Sequence, residues 1–144
     1  MKVLVTGSNG FVGRNLVESL KCLRDNKDRT RPILKIEEIY EFDRDADITL
    51  LDEYCSKCDF IFNLDGVNRP KDNSEFMEGN FGFASTLLDT LKKHKNKCPV
   101  MLSSSIQATL IGRYAESDYG KSKLEGEKLF FNYGKENNEE IRIY

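Results

Sequence analysis

The sequence predicts an α/β fold, a doubly wound parallel sheet with helices on both faces. Short apolar runs alternate with segments whose apolar residues recur at helical spacing, the order expected of βαβ units. The first run ends in a glycine turn that opens straight into a helix. The stretches between runs are long enough for crossover helices, whose handedness favours the doubly wound arrangement. At 144 residues the chain has room for one domain with a real core, so residues 1–144 are read as a single unit.

Taken in order, KVLVT (2–6) is an apolar run ending on Thr6-Gly7, as a buried parallel strand would. Val12, Leu16, Leu20 and Leu23 then lie on one helical face. The stretch RDNKDRTRP (24–32) is polar, ends on a proline and reads as a loop. ILKIEEIYEF (33–42) alternates well enough for a second strand, closed by Asp43-Arg44-Asp45. A short helix is expected over 48–57, with Asp47 capping its free amides. A third strand is expected over 60–64, ending near Gly66, and VNRPKDNSEFMEGN (67–80) reads as a long polar connection. Phe83, Leu87, Leu88 and Leu91 restore helical spacing, and lysines 92, 93 and 95 suit that helix's C-terminal end. A fourth strand at 99–102, a helix over 119–133 and a fifth strand beginning at Ile141 complete the pattern, which is Rossmann-type.

Twenty-two basic against 24 acidic side chains leave a net charge of −2, which gives no pull toward nucleic acid or an anionic membrane. No stretch approaches the roughly 20 apolar residues of a membrane span, and MKVLVTGSNG lacks the apolar core of a secretory signal. The expected location is cytoplasmic. Cys22, Cys55, Cys58 and Cys98 are therefore expected as thiols. The Cys55–Cys58 pair has no second pair, and the one histidine, His94, lies 36 residues beyond it, so structural thiols are expected and no metal.

Gly7, Gly10 and Gly13 lie between the first strand and first helix, the context in which a glycine pattern becomes a phosphate-binding signal. Gly7 permits the turn, Gly10 lets a pyrophosphate approach bare backbone, and Gly13 lets helix and strand pack closely. The helix amides then face the phosphates. Asp43, at the end of the second strand, suits the ribose hydroxyls of NAD, whereas Arg44 suits the 2′-phosphate of NADP. The cofactor is thus NAD(H) or NADP(H), with solvated charges at a strand exit as the plainer reading of both residues.

Tyr119 and Lys123, four apart on a helix, share a face. A nearby ammonium stabilises a phenolate, so Tyr119 is expected to exchange a proton with a carbonyl or alcohol oxygen near neutral pH. Lys123 is also placed to hold the nicotinamide ribose. Ser103-Ser104-Ser105 follows the fourth strand, at the sheet edge where ligands bind, and a hydroxyl there can bond the substrate oxygen.

In this order, the glycine turn, the serine triplet and the Tyr-x-x-x-Lys pair resemble the N-terminal half of an extended short-chain dehydrogenase/reductase, the nucleotide-sugar epimerase/dehydratase/reductase group. The resemblance implies a catalytic Ser105, Tyr119 and Lys123, with Asn80 in the position of that group's helix asparagine. It also implies that Phe11, Val12, Leu64 and Gly66 join Gly7, Gly10, Gly13, Asp43 and Arg44 along the cofactor. GVNRP (66–70), LSSSIQAT (102–109) and YGKSKLEGE (119–127) are similar to the reductase domain of bacterial capsular-polysaccharide enzymes. That domain reduces the 4-keto group of a UDP-linked 2-acetamido-2,6-dideoxyhexose with NADPH, and a cupin domain follows it. The implied partner is a UDP-sugar, with a homodimer as one outcome for assembly. The chain is then the N-terminal part of such an enzyme, ending before the substrate-binding lobe and inactive alone. Asp65 departs from the group's His-Leu-Ala-Gly pattern and is expected near the nicotinamide path. Two rival readings are an epimerase or dehydratase with the same triad, and a non-catalytic dinucleotide-binding module.

Overall fold

A computed structural model describes residues 1–67 and 70–144. Asn68 and Arg69, in the GVNRP stretch, lie outside the described residues. Strands β1 (Lys2–Thr6), β2 (Glu38–Phe42), β3 (Phe60–Asn63), β4 (Val100–Leu102) and β5 (Ile141–Ile143) form one parallel sheet in the order β2-β1-β3-β4-β5. Thr6 stands between Phe42 on one neighbour and Asn63 on the other, so three strands end at the same level. The chain leaves β1 for β2 on one side and returns past it to β3. The switch of direction between β1 and β3 opens a crevice at the carboxyl ends, where open α/β sheets bind ligands.

Helices cover both faces, as the alternating pattern predicts. Val3 and Val5 pack with Val17, Leu20 and Ile36 under helix α1 (Phe11–Arg24). Leu4, between them, points the other way into a larger cluster beneath α2 (Ile48–Cys55), α4 (Phe83–His94) and α5 (Asp118–Asn137). Leu51, Leu87, Leu88, Leu91 and Phe130 meet Ile61 and Val100 there. Asp47 caps α2 by accepting the Thr49 amide at 2.9 Å.

Several elements differ from the sequence expectation. Strand β2 starts at Glu38, five residues later than expected, because residues 33–37 lie before the start of β1, where only Met1 remains to bond Lys35 and Glu37. The buried stripe of α1 is Gly13, Val17 and Leu20, while Val12 is exposed at the helix entrance. Helix α2 ends at Cys55, two residues early. The connection read as a polar loop contains a helical turn, α3 (Ser74–Met77), and a π-helical segment (Glu78–Gly82) continuous with α4. Helix α5 extends beyond its expected bounds, from Asp118 to Asn137, with Ser117 as its cap.

Cys55, Cys58 and Cys98 are buried thiols, and the last two sulfurs lie 3.8 Å apart. Burial pushes the Cys55 thiol up to about 12. Among the described residues no helix is long and apolar enough to cross a membrane, and no group of three or more His, Cys, Asp or Glu is placed to hold a metal ion.

Adjacent aromatic residues on α5 provide a direct test of this packing. Phe130 is fully buried, whereas Phe131 is 52% exposed. Phe130→Ala should cost about 3–5 kcal/mol in urea denaturation, and Phe131→Ala should stay within about 0.5 kcal/mol of the parent chain.

Candidate active site

The glycine turn begins where β1 ends. Gly7 has φ +68°, and a Cβ there would stand 2.8 Å from the Leu64 carbonyl carbon and the Asp65 nitrogen. A Cβ at Gly13 would fall 2.1 Å from the Gly7 carbonyl oxygen. Neither position tolerates a side chain, so the turn packs against both α1 and the exit of β3. Gly10 is different: it is exposed, and its Cβ would come no closer than 3.2 Å to the Gly7 oxygen. Gly10 is also the N-cap of α1, with no side-chain cap and no acidic residue in the first turn. The helix start therefore presents free amides to an anion.

A cleft of about 270 Å³ opens over this turn, lined by Gly7, Gly10, Phe11, Val12, Gly13, Asp43, Arg44, Leu64, Asp65 and Gly66. The expected cofactor-binding residues, Lys123 apart, thus meet in one cleft, with Asp65 added. A cradle floored by bare backbone at a helix N-terminus fits the pyrophosphate of a dinucleotide. Asp43 accepts the Asn9 amide at 2.8 Å and the Arg44 amide at 2.9 Å, so its carboxylate also fixes the turn to β2. Asp65, expected near the nicotinamide path, lines this cleft. Its Oδ1 lies 3.4 Å from Arg44 Nε, which draws the side chain toward the exit of β2. A larger cleft of about 770 Å³ lies at the opposite sheet edge, among Arg24, Arg29, Arg31 and Lys35, remote from every expected site residue.

The second group of side chains sits at the exits of β3 and β4. Tyr119 and Lys123 lie on the first turns of α5, with the ammonium 5.8 Å from the phenol ring centre. Lys123 is only 7% exposed and donates to the Ser103 carbonyl at 3.2 Å. Burial pushes its ammonium below the ordinary value, opposed by the Asp65 carboxylate. Burial likewise pushes the Tyr119 phenol above its ordinary value, and the Ser105 hydroxyl beside it draws it back in part. The phenol is thus not lowered by Lys123 as the sequence suggests: the ammonium faces the Ser103 carbonyl and feels Asp65 instead. Of the three serines, Ser104 donates to Glu127 and Ser103 holds Lys123 through its carbonyl, leaving Ser105 as the hydroxyl facing Tyr119.

Asn80 is buried in the π-helical segment. Its Oδ1 accepts the Val67 amide at 2.9 Å, and its Nδ2 donates to the Val67 carbonyl at 3.3 Å and to Ser122 Oγ at 2.9 Å. Ser122 in turn donates to the Tyr119 carbonyl at 2.8 Å. A Cβ on Gly66 would stand 2.8 Å from both Asn80 Oδ1 and Lys123 Nζ.

Several supporting residues escape motif reading. Phe76 of α3 packs its ring 5.6 Å from that of Tyr119, and Asn73 donates to Asp118 at 3.0 Å. Ser117 caps α5 through the Gly120 amide and donates to Gln107 at 2.7 Å. The Gln107 carbonyl lies 2.3 Å from where a Gly120 Cβ would start, which holds the Ser105 segment against α5. The Asp72-Asn73-Ser74 cluster before Phe76 is a helix-start signal that could have revealed α3.

Residues 3–143 match the model of the NAD dependent epimerase/dehydratase family. The chain belongs to that family. A curated relative from Pseudomonas aeruginosa, UDP-2-acetamido-2,6-beta-L-arabino-hexul-4-ose reductase, is 38% identical over 128 residues, covering 89% of this chain and 30% of the relative. The crystal structure of capsular polysaccharide assembling protein CapF from Staphylococcus aureus superposes with a TM-score of 0.72 and 36% identity over the whole chain, which spans 35% of that protein. UDP-glucuronic acid 4-epimerase from Bacillus cereus, in complex with NAD, aligns at a TM-score of 0.76 with 20% identity over 99% of this chain and 54% of its own, and so shares the fold. The family's cofactor agrees with the class read from the glycine turn.

The second and third glycines of the turn should separate binding from folding. Gly10→Val should remove dinucleotide binding in calorimetric titration while leaving the melting temperature nearly unchanged. Gly13→Ala meets backbone at 2.1 Å and should lower stability by about 1–3 kcal/mol or more.

Proposed function

We propose that this chain is the cofactor-binding and proton-transferring part of an NAD(P)-dependent reductase of 4-keto nucleotide sugars. The observation that carries the reading is the meeting of Ser105, Tyr119 and Lys123 at the sheet edge that also holds the glycine cleft. The relatedness to the Pseudomonas aeruginosa reductase supports a UDP-linked 2-acetamido-2,6-dideoxy sugar as substrate. The likeness to the capsular polysaccharide assembling protein supports a role in capsule synthesis.

Gly7, Gly10 and Gly13 would hold the pyrophosphate, Asp43 and Arg44 the adenosine ribose, and Lys123 the nicotinamide ribose. The dinucleotide, when bound, supplies the hydride. Tyr119 donates a proton to the sugar's C4 oxygen, and Ser105 orients that oxygen and shares its growing charge. Lys123 keeps the Tyr119 phenolate from being left unpaired after the proton has gone. Phe76 excludes water from one side of the Tyr119 ring. Asn80 and Ser122 hold the helix turn that carries the phenol.

The test grafts residues 1–144 in place of the matching part of the Pseudomonas aeruginosa reductase and follows nicotinamide absorbance with a UDP-linked 4-keto-6-deoxy sugar. One reduced cofactor consumed per sugar supports a reductase. Sugar conversion without net consumption would mean an epimerase or dehydratase. Tyr119→Phe should cut kcat by on the order of 10²–10⁴ while cofactor affinity barely changes. Lys123→Met should lower both turnover and cofactor affinity, since the ammonium is assigned to the nicotinamide ribose as well as to the phenolate left by proton transfer.

A further inference from the structure

We propose that Asp65 selects the dinucleotide, holding Arg44 so that the cleft favours NAD(H) over NADP(H). This rests on the reading of the glycine cleft as a dinucleotide site.

Arg44 is the cation lining the cleft at the exit of β2, and a guanidinium is the natural partner of a 2′-phosphate. It is 46% exposed at its side chain, on a flexible stem, and free to turn by itself. Asp65 removes that freedom. Its side chain is only 8% exposed, rooted at the exit of β3 directly over Gly7, and its Oδ1 sits 3.4 Å from Arg44 Nε. If Arg44 swung away to meet a phosphate, it would leave a buried carboxylate uncompensated, a costly state.

The surrounding charges act in the same direction. Asp43 lies beside Arg44 with its oxygens fixed on the Asn9 and Arg44 amides. Glu75 and Glu78 line an adjoining cleft of about 280 Å³, shared with Arg44 and Asp65. Among the described residues one guanidinium therefore shares these two clefts with four carboxylates, and Lys123, which also feels Asp65, is held back at Ser103. A phosphate dianion brought here meets net negative charge at short range. Ribose hydroxyls carry no charge and meet no such repulsion. Asp65 is thus a specificity residue at the exit of β3, separate from the acid at the end of β2 that usually carries this role.

The experiment titrates the 144-residue chain calorimetrically with NAD and, separately, with NADP. The parent chain is compared with Asp65→Asn, Asp65→Ala, Arg44→Ala and the Asp65→Ala, Arg44→Ala double variant, each checked by circular dichroism. The parent chain should bind NAD more tightly by on the order of tenfold or more. Both Asp65 variants should free Arg44 and improve NADP binding by a similar factor, and Asp65→Asn does so with the side chain's shape retained. In the Arg44→Ala background the Asp65→Ala gain should shrink, because no guanidinium remains to be freed. A parent chain that prefers NADP, or folded Asp65 variants with an unchanged NAD-to-NADP ratio, would overturn the inference and leave the dinucleotide site standing. A parent chain that binds neither nucleotide would overturn the site reading and the inference together.

Discussion

Two segments of chain converge on the bare Cα of Gly66, and the Tyr119–Lys123 group is built around that approach. The Asn80 carboxamide arrives from the π-helical segment, the Lys123 ammonium from α5, and both reach the space a Gly66 side chain would fill. Asn80 satisfies the amide and carbonyl of Val67 and bonds Ser122 as well, so one buried side chain ties the β3 exit to the helix carrying Tyr119. Each such bond contributes about 1 kcal/mol net, but a buried partner left unpaired costs about 1–3 kcal/mol. The arrangement therefore holds as a unit. Lys123 is the tense member: its ammonium is almost fully buried, with the Ser103 carbonyl as its acceptor and the Asp65 carboxylate as the charge that opposes its neutralisation.

The parallel sheet makes this convergence possible. Because β1, β2, β3 and β4 all run the same way, Gly7, Asp43, Leu64 and Ser103 emerge at one edge. The reversal of winding between β1 and β3 leaves a crevice there that no crossover covers. The glycine turn occupies its floor, pressed against Leu64 and Asp65 on one side and the start of α1 on the other. The glycine cleft and the Tyr119–Lys123 pair are thus two ends of one edge, with Gly66 lining the first and lying against Lys123 of the second. Burial then sets the electrostatics: it raises the phenol of Tyr119 and lowers the ammonium of Lys123, so both are held closer to neutral than in water.

Where the chain's chemistry is local, the sequence reveals it. The glycine spacing, the Tyr-x-x-x-Lys pair and the apolar strands each depend on near neighbours, and their elements appear where periodicity puts them. Asp47 capping α2 is of this kind. What escapes depends on distant contacts. Residues 33–37 alternate like a strand but have only Met1 to bond before Lys2, so pairing overrides pattern. Val12 looks like part of a buried helix face, yet stands at the helix entrance beside the cleft. The polar stretch before Asn80 folds into helix because Phe76 finds Tyr119, a contact between residues 43 positions apart. Asp65 reads as a misplaced acid, and only the position of Arg44 across the β2 exit explains its direction. The Ser122 and Gly120 contacts on α5 are invisible without the segments they meet.

Amide chemical-shift mapping of the chain during titration with NAD tests the shared edge most directly. The expected perturbations fall on residues 7–13, 43–44 and 64–66, and continue to Tyr119 and Lys123 on α5. Perturbations concentrated instead in the larger basic cleft at the opposite edge, around Arg29, Arg31 and Lys35, would contradict the proposed placement of cofactor and proton donor on one side of the sheet.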